Sequence, residues 1–294
     1  MHGAAKHGQD AFRKIAEEGT ILRTEVGSGA HGIAIDGTDD RDEMGICIEP
    51  ASYVIGLKTG GDGTRFEQYA SRTAVDRAKA GHKEKCGNSE PHDAYTCPAF
   101  DVSHARSGPG DLDLTVYSLR KWTKLAMGGN PSVLIPLFVP MESCVTVKEY
   151  GAQLRDQADM IVSRRAGYQF LGYLNNQRES MLGIRKPKVN RPELVAKYGY
   201  DTKYASHAVR LGYQGIELME TGRLTLPMPL GPRRHVREIK LGRHGQEDVL
   251  ATISTLVTRL EKGIEDTGLP GEPDWDWAND FLVEVYQSSW EPVW

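Results

Sequence analysis

Val26-Gly27-Ser28-Gly29-Ala30-His31-Gly32, and after three intervening residues Asp36-Gly37-Thr38-Asp39-Asp40-Arg41-Asp42-Glu43-Met44-Gly45, form the stretch on which the fold turns. Thr20-Ile21-Leu22-Arg23-Thr24-Glu25-Val26 before it reads as a strand that delivers the chain into a glycine turn. The turn has little side-chain bulk and offers backbone N–H groups, which suits a polyphosphate. Asp40 and Asp42 sit one residue apart at the start of a second strand, residues 40–48, so alternation points both carboxylates the same way. Two aligned carboxylates are hard oxygen ligands of the kind Mg²⁺ takes beside substrate phosphates. Read alone, residues 36–43 are a solvated acidic turn. The apolar Gly45-Ile46-Cys47-Ile48 that follows makes the strand a buried one, where carboxylates need a partner. A metal-dependent nucleotidyl-transfer site is the chemistry this pattern points to.

Three other templates meet the same residues. Gly27-x-Gly29-x-x-Gly32 has the spacing of a dinucleotide fingerprint, with Glu49 about 20 residues on, where that motif wants its acid. The fingerprint also needs a long helix after its third glycine, and residues 33–45, with Gly37, Gly45 and five acids, cannot supply one. A P-loop needs lysine where Ile33 stands, and an EF-hand loop counted from Asp36 needs glutamate where Cys47 stands.

The 294 residues suffice for one large domain or two ordinary ones. A net charge of −4 excludes a globally basic nucleic-acid binder and leaves room for a local basic patch. No apolar run approaches the roughly 20 residues of a membrane span, and Met1-His2-Gly3-Ala4-Ala5-Lys6 has no signal core. Cys47, Cys86, Cys97 and Cys144 are few and unpatterned, so a cytoplasmic protein with reduced thiols and no membrane association is expected.

Residues 9–18 place Phe12, Ile15 and Ala16 on one face of a short helix ended by Gly19. Residues 56–110 are poorly patterned. Residues 65–85 are basic and polar, a solvated insertion or arm first and a nucleic-acid-facing patch second. His82, Cys86, His92 and Cys97 match no compact zinc knuckle. Asp111-Leu112-Asp113-Leu114-Thr115-Val116-Tyr117 is another alternating acid and apolar strand, in which Asp113, ahead of Asp111, can join Asp40 and Asp42. Ser118 caps a helix over residues 119–127, stopped by Gly128-Gly129, and Asn130-Pro131 opens an apolar segment. From about residue 145 the pattern turns helical: residues 147–163, an apolar stripe through residues 168–182, a basic loop over residues 183–192, and a long helix over residues 203–220 capped by Asp201 or Thr202 and closed by Gly222. Lys203, His207 and Arg210 share a face of that helix. Residues 224–227 and 236–241 suggest a two-stranded flap, and residues 248–264 a last amphipathic helix. Trp275, Trp277, Trp290 and Trp294 are read as packing anchors or, if exposed, a partner surface.

Gly27-Ser28, Asp40-x-Asp42-x-x-Gly45, Asp113 through Lys121 and Asn130-Pro131 together resemble the DNA polymerase β superfamily of nucleotidyltransferases, and within it a branch linked to RNA repair. Gly172-Tyr173, Gln177, Lys203-x-x-x-His207-Ala208-x-Arg210-Leu211 and Glu217 to Gly222 carry the resemblance into the second half. It implies an α+β fold, with a nucleotidyltransferase-type mixed sheet backed by helices over residues 1–145 (a basic insertion at about 56–110) and a mainly helical substrate-binding domain over residues 146–294. It further implies Asp40, Asp42 and Asp113 as catalytic metal ligands for Mg²⁺ or Mn²⁺. Gly27, Ser28, His31, Lys121, Lys203, His207 and Arg210 would hold the nucleoside triphosphate, such as ATP. The reaction it implies moves NMP to a hydroxyl, an RNA (tRNA) end first, with nucleotidylation of a protein or small molecule, or a non-catalytic nucleotide-binding module, as alternatives. Ile135-Pro136 departs from the pattern, which predicts an acid nearby.

Overall fold

The computed structural model describes residues 7–78, 105–184 and 191–290. The histidines and cysteines 82–97, the basic residues 185–188 and Trp294 lie outside the described residues.

Helix α1 (Asp10–Gly19) leads into β1 (Thr20–Val26), and β2 (Arg41–Cys47) returns antiparallel to it. Strands β3 (Gln68–Arg72), β4 (Leu112–Ser118) and β5 (Cys144–Val147) complete a five-stranded sheet in the order β3-β4-β2-β1-β5. The β2–β4 pair is parallel and the other three are antiparallel, so the sheet is mixed. Period-2 alternation separates its two faces. Cys47 and Val116 join Phe12, Ile15, Phe66 and Tyr69 beneath α1. Met44 and Ile46 join the main core on the other face, and Asp42 shares that face by parity.

After β4, the Ser118 hydroxyl accepts from the Lys121 N–H and starts α2 (Leu119–Met127), as its sequence predicts. Helices α3 (Glu149–Asp156), α4 (Arg164–Met181), α5 (Thr202–Thr221), α6 (Leu230–Lys240), α7 (Gln246–Asp266) and α8 (Trp275–Ser289) follow. The Asp201 carboxylate accepts from the Lys203 and Tyr204 N–H groups at the head of α5, and Gly222 closes it with φ +70°. α4, α5 and α7 pack on one another, and one apolar cluster runs continuously from β1 and β2 into these helices.

Three expectations change. Residues 68–72 belong to the sheet as its edge strand and not to a basic arm; only Tyr69 is buried there, so the alternation is faint. The β-branched Val145-Thr146-Val147 pairs with β1, so the helix expected over residues 147–163 begins at Glu149 and breaks at Gln157. Residues 236–241 are no flap strand: Val236 and Ile239, three apart, are the buried positions of α6.

The last helix is tied to the sheet through a buried carboxylate. Glu49, just after β2, accepts from the Tyr286 hydroxyl at 2.7 Å and from the Leu119 N–H at 3.2 Å, while its carbonyl accepts from Trp290 Nε1 at 2.8 Å. Burial raises the Glu49 pKa against the pull of these donors. Trp277 Nε1 donates to Gln157 Oε1 at 2.7 Å, so both tryptophans anchor α8. Tyr286→Phe strands a buried carboxylate oxygen without its best donor and is expected to cost about 1–3 kcal/mol. Urea denaturation measures it; an unchanged midpoint would show that the contact contributes nothing.

Candidate active site

The glycine turn is built around Asp42. Gly27 stands at φ +63°, where L side chains are disfavoured, and a Cβ on it would lie 2.0 Å from Asp42 Oδ2 and 2.8 Å from Asp42 Cβ. Only glycine lets β1 turn this close to β2. The chain then makes a single helical turn, Gly27–Ala30.

Parallel pairing places Asp42 directly beside Asp113. Asp40, one residue before β2, completes the trio, and one ligand oxygen from each lies within 4.8 Å of the others. This spacing fits a shared divalent cation, which binds hard oxygens at short range. Crowding shows in the chemistry of Asp42: burial first, then the charges of Asp40 and Asp113, raise its pKa to about 6. A cation among them relieves that repulsion. Asp113 is engaged already, with Arg72 Nε donating to Oδ2 at 2.9 Å and Ser107 Oγ to Oδ1 at 2.6 Å. Asp111 precedes β4 and is held by Arg77 and the Gly108 N–H, outside the trio.

Above the carboxylates lies a cleft of about 450 Å³. Gly27, Ser28, His31, Asp40, Asp42, Lys203, His207 and Arg210 all line it. Lys121 does not: its ammonium binds Glu67 and Gln68 at 3.1 and 2.9 Å in a separate hollow. The helical period of α2 buries Leu119, Trp122, Thr123 and Ala126 and leaves Lys121 on a flank where it meets Gln68 of β3. Lys240 was not expected here, because residues 236–241 read as a strand. As the last residue of α6, it places its ammonium 2.6 Å from Asp39 Oδ2 inside the cleft. Burial alone would push the Asp39 carboxyl up, but Lys240, the Ile35 N–H and the Ser28 hydroxyl hold it below its ordinary value.

His31 is buried, with Nε2 3.0 Å from the Arg210 guanidinium and Nδ1 3.1 Å from the Gln214 amide. Burial, then Arg210 and His207, push its pKa well below normal. His207 shifts the same way, by burial and by Arg210, Lys203, Arg191 and Lys240. Arg210 itself is lowered to about 10 by burial and remains a cation near neutrality. The cleft thus combines an acidic floor with cationic walls and two neutral imidazoles. Because the folded state disfavours the protonated histidines, their contribution to stability is whole above the ordinary value of about 6.5 and is lost progressively as pH falls below it toward the lowered folded-state values. His31→Gln removes one titrating group, and the fall in melting temperature between about pH 7 and about pH 5 should lessen; an unchanged slope would contradict the assignment.

Among the described residues, no helix is long and apolar enough to cross a membrane. An uncharacterized 38.9 kDa protein of the nrdC-mobD intergenic region of Enterobacteria phage T4 is 32% identical over 131 residues, 40% of this chain and 38% of that protein. The chain therefore matches well under half the length of that relative. A crystal structure of a nucleotidyltransferase-like protein from Exiguobacterium sibiricum 255-15 aligns over 95% of this chain and 79% of its own at 12% identity, with a TM-score of 0.28 that is too low to carry an argument. The sequence pattern of RlaP, the RNA repair pathway DNA polymerase beta family, matches residues 4–288. That span holds the glycine turn, the three aspartates and the cationic row of α5, and the chain belongs to this RNA repair pathway DNA polymerase beta family.

Proposed function

We propose that the protein transfers a nucleoside monophosphate from a nucleoside triphosphate to a hydroxyl, with an RNA end as the acceptor. The observation that carries the reading is the meeting of Asp40, Asp42 and Asp113 at one point, with Asp40 and Asp42 lining a cleft they share with Lys203, Arg210 and Lys240. Asp40, Asp42 and Asp113 would hold Mg²⁺ or Mn²⁺, which supplies charge neutralisation at the reacting phosphate and a more acidic acceptor hydroxyl. In the reaction the acceptor oxygen bonds the α-phosphorus, the bond from that phosphorus to the α,β-bridging oxygen breaks, and pyrophosphate leaves with the electron pair. Lys203 and Arg210 neutralise the phosphates from α5, and Lys240 does so if it exchanges Asp39 for them. Ser28 and the N–H groups of its turn hold phosphate oxygens. Neutral His31 fixes Arg210 in place. Asp113 could take the acceptor proton on an oxygen that Arg72 or Ser107 releases.

The family's tie to RNA repair supports an RNA acceptor. Arg234 and Arg237, exposed on α6 beside the cleft-lining Lys240, add a cationic rim. In the segment read as a basic patch, Arg65, Arg72 and Arg77 bind Val54, Asp113 and Asp111, so they support it less. Incubation with α-³²P-NTP, Mg²⁺ and cell RNA or lysate, then gel separation, tests the acceptor. Label in RNA is expected; label confined to protein or a small molecule would replace the acceptor, and no transfer would leave a binding module.

A further inference from the structure

Tyr173 and Gln177 lie four residues apart on α4, hence on one face, and both line the cleft. Nothing in the phosphate chemistry uses them. They carry no charge, and the uncharged Ser132, Ile135 and Met44 line the same cleft. Ile135 stands near the place where the family likeness predicts an acid, so an aliphatic surface replaces a charge here. Two details make this part of the cleft a recognition surface and not filler. First, the Tyr173 ring is held by its hydroxyl, which accepts from Asn130 Nδ2 at 2.9 Å. Asn130 is fixed in turn, its side-chain oxygen accepting from the Ser132 and Val133 N–H groups. The ring is therefore a preset flat surface. Second, Gln177 Oε1 is buried and accepts no hydrogen bond from the described residues. A buried acceptor left unmade is costly, and such atoms in folded proteins call for a partner.

We infer that Tyr173 and Gln177 form the nucleobase subsite of this cleft, and that Gln177 selects a base carrying an amino group beside an unprotonated ring nitrogen. The inference rests on the nucleotidyl-transfer reading and specifies its donor substrate. The base lies against the Tyr173 ring, an arrangement every base tolerates. Selection comes from the amide. Its Oε1 accepts from the exocyclic amino group, and its Nε2 donates to the adjacent ring nitrogen. On their Watson–Crick edges adenine and cytosine present that pair of groups. On the same edge uracil and guanine present a carbonyl beside a ring N–H, which sets acceptor against acceptor at the buried oxygen. A site built to pair a particular polar edge rejects its mismatch strongly, because its own buried group is then stranded.

Calorimetric titration of the full chain with the α,β-methylene analogues of ATP, CTP, GTP and UTP, in Mg²⁺, tests this, with inorganic triphosphate as the control ligand. The adenine or cytosine analogue is expected to bind at least about tenfold tighter than the guanine and uracil analogues, and the separate titrations identify which of the two bases it is. Gln177→Ala should level the four affinities. Gln177→Glu, which offers two acceptors, should lose the preferred base and favour guanine, whose ring N–H and amino group both donate. Both variants should bind triphosphate as the native protein does, which shows that they fold and keep the phosphate side. The inference is overturned if the four analogues bind alike, if guanine or uracil binds tightest to the native protein, or if Gln177→Glu binds triphosphate normally with the ranking unchanged. If the native protein binds neither triphosphate nor any analogue, the nucleotidyl-transfer reading falls, and this inference with it.

Discussion

Asp42→Asn is expected to lower the proposed nucleotidyl transfer by about 10³-fold or more and to leave the metal-free protein at least as stable as the native one. Loss of a shared anionic ligand removes several kcal/mol of charge stabilisation from the transition state, and each 1.4 kcal/mol is about tenfold in rate. Stability moves the other way. Asp42 is half-buried between two like charges, which is why its carboxyl titrates near 6. A neutral amide of the same shape relieves that repulsion. The native protein is expected to gain melting temperature on adding Mg²⁺, and Asp42→Asn to lose that gain. Thermal melts with and without Mg²⁺, run beside the transfer assay, separate this result from simple misfolding. Native-level transfer by Asp42→Asn would remove the carboxylates from the chemistry. Arg72 complicates the metal-free state. Its guanidinium is paired with Asp113, so one cation already stands beside the trio before a metal enters.

Gly27→Ala produces the second large effect, and here fold and site fail together. Alanine at φ +63° costs about 1–2 kcal/mol from backbone strain alone. Its Cβ would also stand 2.8 Å from Asp42 Cβ, which cannot swing away as a side-chain tip can. Either β2 shifts or the turn opens, and both separate the Ser28 turn from the carboxylates. Gly37 is the control, with φ +74° and nothing within 4 Å of an added Cβ. Gly37→Ala should show the strain term only and keep triphosphate binding, while Gly27→Ala should lose binding and melt several degrees lower. Equal losses in the two variants would mean that close approach to Asp42 is not what glycine provides.

What could be read in advance followed the strength of local signals. The strand around Asp113 alternates acid and apolar residues and the one around Asp42 ends in an apolar run, while Ser118 and Asp201 cap their helices with side chains and Gly222 closes its helix through its backbone. Alternation pointed Asp40 and Asp42 the same way, but the place of Asp113 beside them needed the parallel pairing of β2 and β4, which no short-range pattern encodes. β3 was hidden because one buried residue, Tyr69, cannot establish a period. That loss concealed Arg72, the partner of Asp113. Lys240 was hidden by mistaking the helical spacing of Val236 and Ile239 for a strand. Lys121 lies in the stretch that carries the family resemblance, but its ammonium meets Glu67 and Gln68 outside the cleft. Gln177 was visible as a motif residue, while its buried, unpaired oxygen was not.

The central claim, that three convergent aspartates serve transfer of a nucleotide, is met most directly by double labelling. Purified protein is given RNA and Mg²⁺ with the triphosphate labelled at either the α- or the γ-phosphate. The account predicts α-label joined to the acceptor, γ-label released as pyrophosphate, and both signals abolished by EDTA and restored by Mg²⁺ or Mn²⁺. Transfer of the γ-label, or α-label incorporation that EDTA leaves undiminished, would contradict it.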